Sequence, residues 1–533
     1  MPTIHLLQSG RKLTCETGSR LMDVLLDGGV FLENPCNGTG VCGKCRVRVV
    51  AGEASPVTDT ERSLLSEELL SSGVRLSCLT TVEGDMDVEL LHQERAHKVL
   101  TSGYVPPFER DVFERGYGVA IDIGTTTVAA ALVNLKTGKE LAQVSRINAQ
   151  KRFGLDVLTR ITYEYRHPET GAAELQKAIV DSLNAMITEA CEAAELSVSE
   201  ITSITVAANC TMTHMLLGVD ARPIGRAPYQ PPFLAAQTLP AAEIGLLAGD
   251  GAELYCLPQV SAYIGADITA GAYVCGLEQE PGNVLFIDIG TNGEIVLACG
   301  GRLLSCSCAA GPALEGANIS CGMRADDGAI EDLMISEDGI SMQVIGGEQA
   351  VGLCGSGILA AVKELLRTKL VKPSGAFIKP DSLPEDSPLR QRLLVQGTKR
   401  EFLLQQKPEL RITQDDVRQV QLAKGAILSG FMALLNRAGI DMKDLDKVLI
   451  AGQFGSHLPA ESLAGTGILP RDVEKKLIYV GNSSKTGAYM ALLSAKARAD
   501  MEALARKMEY MELAESEGYE ALFAKSMKFP QFD

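Results

Sequence analysis

The chain has no excess of basic residues and no long apolar run. Its 533 residues include 50 Lys and Arg against 67 Asp and Glu, which gives a net charge of −17. Nucleic-acid binding needs a clustered cationic surface, so this charge speaks against a nucleic-acid partner. No apolar stretch reaches the roughly 18 residues of a membrane span, and the N-terminus MPTIHLLQSG lacks the regions of a signal peptide. We therefore expect a cytoplasmic protein with no nucleic-acid partner and no membrane partner.

Apolar residues and cysteines, by contrast, are plentiful. Hydrophobic residues make up 46% of the chain, enough for full cores in the two to four domains that the length suggests. In a cytoplasmic protein, 14 cysteines favour metal binding, redox chemistry or burial over disulfides. Cys306, Cys308 and Cys321 could bind a metal, but no fourth partner stands at a useful spacing. We expect these three, like most of the scattered cysteines, to be small buried side chains.

Residues 1–92 have the pattern of a small separate domain. Short strands, an amphipathic helix that ends at glycines and a capping box at Thr58 and Glu61 surround a glycine-rich loop. This loop, C-x5-C-x2-C, carries three thiols, and a fourth follows from a different strand. The set resembles a plant-type 2Fe-2S ferredoxin of the β-grasp fold; structural zinc, which usually uses two C-x2-C-like pairs, and unligated thiols are the alternatives. The expected cluster ligands are Cys36, Cys42, Cys45 and Cys78.

Two other stretches have a distinctive composition. Residues 93–115 mix charges with Pro106 and Pro107 and show no helical or strand period, which predicts a linker. Residues 495–527 alternate charged and apolar residues with a helical period, which predicts a solvated docking helix.

The stretch 117–133, YGVAIDIGTTTVAAALV, predicts a buried strand, a tight turn and a returning strand. Gly124 lets the backbone approach an anion, the threonines 125–127 offer donors, and Asp122 at the strand end can hold a hydrated magnesium ion. A near copy, NVLFIDIGTNGEIVLA, carries Asp288 at the matching position. Either loop alone could be an ordinary hairpin tip. The repeat predicts two related lobes that bind nucleotide phosphates.

Two later glycine turns can complete a nucleotide site. The stretch 448–458, VLIAGQFGSHL, reads as a strand that ends at Gly452, and the strand LIYV is followed by Gly481 and Asn482. A third turn, residues 355–357, precedes a helix, where it can bind an anion or allow tight helix packing, and the pattern favours neither.

A further strand-to-helix turn carries polar residues that are candidates for a functional role. Asn209 and Thr211 lie at this turn, and His214 follows on the helix. A catalytic His214 is possible, but an apolar helix face is more typical of a packed histidine.

The two phosphate loops resemble those of the superfamily that joins sugar and acetate kinases, heat-shock ATPases and actin. That resemblance implies ATP between two ribonuclease H-like lobes, here 116–276 and 277–533, and an α/β and α+β multidomain protein overall. It also implies that Asp122 and Asp288 organise magnesium and the attacking water. The implied nucleotide-binding residues are Gly124, Thr125, Thr126, Thr127, Gly290, Thr291, Asn292, Gly293, Gly452, Gln453, Gly455 and Gly481.

The order of the parts is itself informative. A ferredoxin domain, a linker and this ATPase resemble the reductive activators of corrinoid proteins, and motifs such as PCNGTGVCGKC, IDIGTTTV, IDIGTNGE and GLCGSGI match along nearly the whole chain. The chain has no cysteine after Cys354, so it resembles the members with a single cluster. The family implies ATP-dependent, one-electron reduction of Co(II) to Co(I) in a corrinoid protein of a methyltransferase system. It also implies a 2Fe-2S cluster, ATP, Mg²⁺, a low-potential electron donor and a possible homodimer.

Other functions remain as alternatives at this point. A small-molecule kinase with a fused redox domain would need a substrate pocket and a general base that the sequence does not reveal. A chaperone-like reactivase needs no iron-sulfur cluster, and a ferredoxin reductase component should carry flavin and nicotinamide motifs.

Overall fold

The chain forms two compact units in the computed structural model. The first unit is Met1–His97 with Ile147–Arg166, and the second is Lys98–Arg146 with His167–Asp533. The structure describes residues 1–28, 30, 32, 40, 43–91, 104–113, 116–337, 339–347, 349–397, 399–452 and 458–532.

A mixed five-stranded sheet forms the body of the first unit. Its strands are β1 (Thr3–Leu6), β2 (Arg11–Thr14), β3 (Arg46–Ala54), β4 (Val74–Leu76) and β5 (Val82–Leu90). They lie in the order β2-β1-β5-β3-β4, with β1 parallel to β5 and antiparallel to β2. Helix α1 (Leu21–Asp27) buries Leu21 and Leu25 in the core of this sheet. One helix across such a sheet is the predicted β-grasp fold.

The helical stretch after β3 begins as predicted but is divided in two. Thr58 and Glu61 form the expected capping box at the start of α2 (Asp59–Leu64). Ser66 then caps a second short helix, α3 (Glu67–Ser71), because its hydroxyl accepts a backbone N–H of the new first turn.

The segment 147–166 was expected in the first lobe, but it groups with the ferredoxin-type unit. It carries helix α4 (Val157–Arg166), whose Arg160 is fully buried and donates from Nε to the carbonyl of Gly154 over 2.9 Å. Burial lowers the pKa of Arg160 to about 9. The boundaries assigned to the four parts of the chain remain predictions.

The second unit contains two six-stranded sheets and two three-stranded sheets. Its strands are β6 (Tyr117–Ile123), β7 (Thr127–Asn134), β8 (Lys139–Ile147), β9 (Ile201–Ala208), β10 (Gln237–Pro240), β11 (Glu253–Cys256), β12 (Val284–Ile289), β13 (Gly293–Cys299), β14 (Arg302–Cys308), β15 (Ala329–Ser336), β16 (Gly339–Val344), β17 (Gly352–Leu353), β18 (Leu393–Gln396), β19 (Lys399–Gln406), β20 (Glu409–Thr413), β21 (Lys447–Ala451), β22 (Leu477–Gly481) and β23 (Glu509–Tyr510).

The two large sheets are built alike. The first has the order β10-β11-β9-β6-β7-β8, and the second has β22-β21-β12-β13-β14-β23. In each, the strand with the predicted phosphate loop is antiparallel to the next strand in the chain and parallel to a later strand on its other side. The repeat read from the sequence therefore corresponds to two lobes of one topology.

Helices join the two lobes. The helices of this unit are α5 (Gly171–Ala193), α6 (Cys210–Leu216), α7 (Ala266–Val274), α8 (Gly355–Arg367), α9 (Pro388–Arg392), α10 (Gln414–Ala438), α11 (Ala460–Thr466), α12 (Ser483–Leu493), α13 (Ala495–Lys507) and α14 (Tyr519–Ser526). Ala270 of α7 lies in the core of the first sheet, whereas Ile268 and Ala272 of the same helix lie in the core of the second. Helix α12 follows β22 of the second sheet, yet it packs in the core of the first sheet.

Part of the predicted linker belongs to the second unit and packs on its helices. Phe108 meets Tyr489 of α12 edge-to-face with ring centroids 6.1 Å apart. The Asp111 carboxylate accepts the backbone N–H of Ala495 at the start of α13 over 2.7 Å. Residues 104–113 thus form an extended segment that packs along α12 and α13, called the strap below. The other linker residues, 93–103, 114 and 115, lie outside the described residues.

The prediction of one solvated helix at the C-terminus is wrong. The segment forms α13, β23 and α14, and Met501 and Leu504 of α13 are buried. Strand β23 extends the second large sheet beside β14. Among the residues that the structure describes, no helix is both long and apolar enough to cross a membrane.

Candidate nucleotide and cluster sites

Asp122 and Asp288 occupy matching places near the ends of β6 and β12. Each is followed by a glycine turn: the N–H of Gly124 donates to the carbonyl of Thr127 over 2.9 Å, and the N–H of Gly290 donates to the carbonyl of Asn292 over 3.0 Å. Both loops therefore have the strand, turn and returning strand that the sequence predicts.

The two hairpins differ in register by one residue. Asp122 stands opposite Ala129, whereas Asp288 stands opposite Glu294. Directly opposed residues of antiparallel strands point to the same face. Glu294 therefore places a second carboxyl group beside Asp288, and the sequence analysis missed it because the similar motifs hide the shorter turn.

A fourth carboxyl group comes from the first turn of α7. Burial raises the pKa of Asp267 to about 7, and the nearby charge of Asp122 adds to the effect. Burial likewise raises the pKa of Asp288 to about 7, with contributions from Asp267 and Asp122. The pKa of Glu294 is raised well above its usual range by burial, Asp267 and Asp288. The four carboxyl groups therefore converge, and the helix start IGAD was the signal that could have revealed Asp267.

The four neighbouring carboxyl groups are suited to bind a hydrated magnesium ion. Among the described residues, no three His, Cys, Asp or Glu side chains are close enough to hold one metal directly. Magnesium usually keeps several waters and binds one or two carboxylates together with substrate phosphates. Carboxyl groups that interact without sharing a tight ligand set fit that mode.

The Asp122 carboxylate is held by residues that lie 360 or more positions later in the chain. Asn482 Nδ2 donates to Asp122 Oδ2 over 2.9 Å, and Ser484 Oγ donates to Asp122 Oδ1 over 2.7 Å. Gly481, the last residue of β22, has φ +72°, which turns the chain from this strand toward α12. The structure thus brings the predicted Asn482, which follows Gly481, to Asp122, and it adds Ser484.

The other residues predicted to bind nucleotide lie in the two loops that follow β6 and β12. Residues 124–127 are half-buried, and Asn209 Nδ2 donates to Thr125 Oγ1 over 3.1 Å. In the second loop, Thr291 Oγ1 donates to Glu315 over 2.5 Å, Gly293 is buried and Asn292 is exposed.

The predicted glycine turn of the stretch 448–458 is described only up to its first glycine. Gly452 follows β21 directly and has φ +88°. A Cβ at this position would lie 2.4 Å from Asp288 Oδ1. Gln453 and Gly455 lie outside the described residues.

His214 is a packed histidine. Its ring is fully buried, its Nδ1 donates to the carbonyl of Cys210 over 2.8 Å, and it stacks on Phe233 with centroids 4.0 Å apart. Burial lowers the pKa of His214, which favours the neutral ring.

The glycines at 355 and 357 lie inside the first turn of α8, where they allow close packing. A Cβ on Gly355 would lie 1.9 Å from the carbonyl oxygen of Leu314, and one on Gly357 would lie 2.0 Å from that of Ile330. Only glycine permits these backbone contacts.

The three cysteines of β14 and the following loop have separate partners. Cys306 Sγ contacts the carbonyl of Gly430, Cys308 Sγ contacts that of Gly293, and Cys321 Sγ accepts the N–H of Arg411. Cys306 and Cys308 are buried as expected, whereas Cys321 is only half-buried.

Two of the four expected cluster ligands are described, and both are buried. The N–H of Ser77 donates to the carbonyl of Cys45 over 2.9 Å, which ties the Cys78 loop to the end of the glycine-rich loop. Asp23 and, less strongly, Cys78 and Cys45 raise the pKa of Arg20, so both thiols lie in the neighbourhood of one guanidinium. Two buried thiols from separate segments fit the expected ligand set, in which the glycine-rich loop supplies three cysteines and a later segment supplies Cys78. The other two expected ligands, Cys36 and Cys42, lie outside the described residues.

The two lobes of one topology, together with the group of interacting carboxyl side chains, define a protein of the actin and sugar-kinase class, fused to a ferredoxin-type domain. Family models match the chain in three consecutive segments: the 2Fe-2S iron-sulfur cluster binding domain at 4–83, the RACo middle region at 117–280 and the C-terminal domain of RACo, the ASKHA domain, at 282–533.

Similar proteins agree with these matches. The corrinoid activation enzyme RamQ of Eubacterium limosum is 34% identical over 432 residues, which cover 79% of this chain and 72% of RamQ. A reductase of the Co(II) methylated amine-specific corrinoid protein from Methanosarcina barkeri is 25% identical over 446 residues, which cover 78% and 77% of the two chains. A solved structure, the reductive activator for a corrinoid, iron-sulfur protein, aligns with 100% of this chain and 99% of its own at 30% identity and a TM-score of 0.69. The chain belongs to the RACo family of corrinoid activation enzymes.

Proposed function

We propose that this chain activates a corrinoid protein by ATP-dependent, one-electron reduction of Co(II) to Co(I). The observation that carries the proposal is the fusion of a ferredoxin-type domain with a cleft of four interacting carboxyl groups, in a chain 34% identical to a corrinoid activation enzyme. The similar proteins are activators and reductases of corrinoid proteins, which supports this function over the kinase alternative.

The ferredoxin-type domain supplies the redox part. Cys36, Cys42, Cys45 and Cys78 would hold the 2Fe-2S cluster, which when bound supplies one-electron transfer at about −400 mV in plant-type domains. The protein buries Cys45 and Cys78 and ties their loops together through Ser77, which keeps these two thiols in fixed positions. A low-potential donor would deliver the electron, and the chain would act as a homodimer.

The two lobes supply the energy coupling. Every 59 mV by which the cobalt couple lies below the cluster costs about 1.4 kcal/mol for one electron. ATP binding offsets such a cost if the closed, ATP-bound complex favours the reduced cobalt site. Asp122 and Asp288 would hold Mg²⁺, which supplies charge neutralisation for the phosphates. The backbone and hydroxyl donors of residues 124–127 and 290–293 would orient those phosphates.

Anaerobic visible spectroscopy tests the proposal. A Co(II) corrinoid protein is mixed with cluster-loaded full-length protein and a chemical reductant, with and without MgATP. The Co(I) band should appear only with MgATP. Reduction without ATP would leave a simple electron carrier, and no reduction with several corrinoid proteins would contradict the proposal.

A matched pair of variants locates the ATP step. Asp288→Asn keeps the shape of the side chain but removes its charge, so ATP-dependent reduction should be lost. Asp386→Asn makes the same change at an exposed site and should leave reduction unchanged. Full activity of Asp288→Asn would contradict the role given to the second loop.

A further inference from the structure

The carboxylate of Asp122 has one donor on each oxygen, and both donors come from the start of α12. Asn482 Nδ2 lies 2.9 Å from Oδ2, and Ser484 Oγ lies 2.7 Å from Oδ1. A carboxylate offers about four acceptor positions. The two bonds fix the plane of the group, and no other side chain in the described part of the chain donates to it.

The residues that hold Asp122 are themselves held. Asn482 Oδ1 accepts the N–H of Lys485 over 2.9 Å, which makes Asn482 the N-cap of α12. The Lys485 ammonium is 3.0 Å from a carboxylate oxygen of Glu140, and its side chain is 3% exposed. A buried, paired lysine keeps the first turn of α12 against β8.

The rest of α12 has little freedom to move along the first sheet. Thr205 Oγ1 of β9 donates to the carbonyl of Ala488 over 2.7 Å. A Cβ on Gly487 would lie 2.4 Å from Cβ of Ala270 in α7, so the two helices approach at van der Waals contact. The two residues that donate hydrogen bonds to Asp122 therefore belong to the start of a firmly packed helix rather than to a loop.

We propose that Asn482 and Ser484 are positioning residues, which set the orientation of the Asp122 carboxylate for the magnesium and phosphates of bound ATP. This role rests on the proposed function, because it assumes that ATP is hydrolysed in the cleft. The Lys485–Glu140 pair keeps the two donors in place. A carboxylate that turns freely samples orientations that do not face the phosphates, and small misplacements of catalytic groups lower turnover strongly.

Steady-state hydrolysis of MgATP by the full-length protein tests the role. In Ser484→Ala, kcat should fall about tenfold, the KM for ATP should change by less than about twofold, and the Mg²⁺ concentration for half-maximal rate should rise severalfold. Ser484→Thr keeps the hydroxyl and should restore most of the rate. Ser483→Ala removes a neighbouring hydroxyl of the same helix turn and should behave like the wild type.

A second variant keeps the test decisive if Ser484→Ala fails to fold. Asn482→Asp keeps the cap oxygen but replaces the Nδ2 donor by an acceptor that faces Asp122, so kcat should fall at least as far. Thermal unfolding of each variant separates lost folding from lost turnover. Wild-type rate and Mg²⁺ dependence in a folded Ser484→Ala or Asn482→Asp would overturn the positioning role. A wild-type protein without ATP hydrolysis would instead overturn the proposed function, so the two failures are distinguishable.

Discussion

Gly452 approaches Asp288 so closely that a Cβ on Gly452 would lie 2.4 Å from Asp288 Oδ1. No real Cβ tolerates such a contact with an oxygen, so one of the two groups would have to move. Gly452 also has φ +88°, a conformation that glycine adopts without steric cost. The position of the Asp288 carboxylate thus depends on the absence of a side chain at Gly452, the glycine that follows β21.

Gly452→Ala should displace the Asp288 carboxylate and lower ATP-dependent corrinoid reduction at least about tenfold. Gly439→Ala is the matched control, because Gly439 has φ +72° and a Cβ there meets nothing within 4 Å. Both variants carry a backbone cost of about 1 kcal/mol in the free energy of unfolding, but only the first should lose activity. Equal activities in the Co(I) assay would contradict the close contact.

Cys45→Ala and Cys78→Ala should each lose nearly all bound iron and sulfide, because a three-thiol set does not hold this cluster firmly. Cys15→Ala removes another buried cysteine of the same hydrophobic core and should keep both the iron and the sulfide. The measurement is iron and acid-labile sulfide content together with the visible spectrum of anaerobically purified protein. Retention of the full spectrum in Cys78→Ala would remove this residue from the ligand set.

Glu61→Gln should destabilise the first unit by about 3–5 kcal/mol, the usual cost of breaking a buried ion pair. Glu61 is fully buried, and Arg75 donates to it from Nε and Nη2 at 2.9 Å each. The matched control is Glu67→Gln in α3, at an exposed position. Unfolding of the full chain is followed by calorimetry.

The cost of Glu61→Gln should also depend on pH. Burial alone would raise the pKa of Glu61, but hydrogen bonds from Arg75, Thr58 and Leu76 lower it below the usual 4.5. Since the folded pKa is depressed, the stabilisation is complete above about pH 4.5 and is lost as the pH falls further. The difference between wild type and variant should therefore shrink in acid, and a constant difference would contradict the depressed pKa.

Lys424 should make stability rise with pH in the alkaline range. This lysine of α10 is 2% exposed, its Nζ donates to the carbonyl of Ser526, and burial lowers its pKa from 10.5 to about 8. Below pH 8 the folded state carries the full cost of the buried charge. Between pH 8 and 10.5 the unfolded state binds more protons, so the free energy of unfolding should rise by about 3 kcal/mol relative to Lys424→Met.

Denaturant unfolding at several pH values checks this difference. Lys379→Met changes an exposed lysine and should give a curve parallel to that of the wild type. A wild-type curve that stays parallel to that of Lys424→Met would show that the buried ammonium does not titrate in this range.

The parts of the site that could be read from the sequence are those encoded by a local pattern. The turns after Asp122 and Asp288 follow from apolar runs that stop at a carboxylate and a glycine. The β-grasp fold was implied by the resemblance of the cysteine loop to plant-type ferredoxins. Asp267 and Glu294 were missed because their roles depend on register and on how α7 is placed between two sheets.

Distant contacts account for the other omissions. Ser484 reaches Asp122 across 362 positions of the chain, and no local pattern reports such a contact. Residues 104–113 look like a linker because they have no period, but Phe108 packs on Tyr489 and Asp111 caps α13. Packing against another element, rather than intrinsic preference, orders that strap.

The one-residue difference between the two hairpins makes the two halves of the acidic site unequal. Asp122 stands opposite the apolar Ala129 in the first hairpin, whereas Asp288 stands opposite Glu294 in the second. Because burial raises the pKa of both Asp288 and Glu294, a divalent cation that binds beside the second hairpin would release protons from this pair. The duplicated halves share a topology but are not interchangeable: a first loop transplanted into the second lobe would take away half of that hairpin's acidic pair.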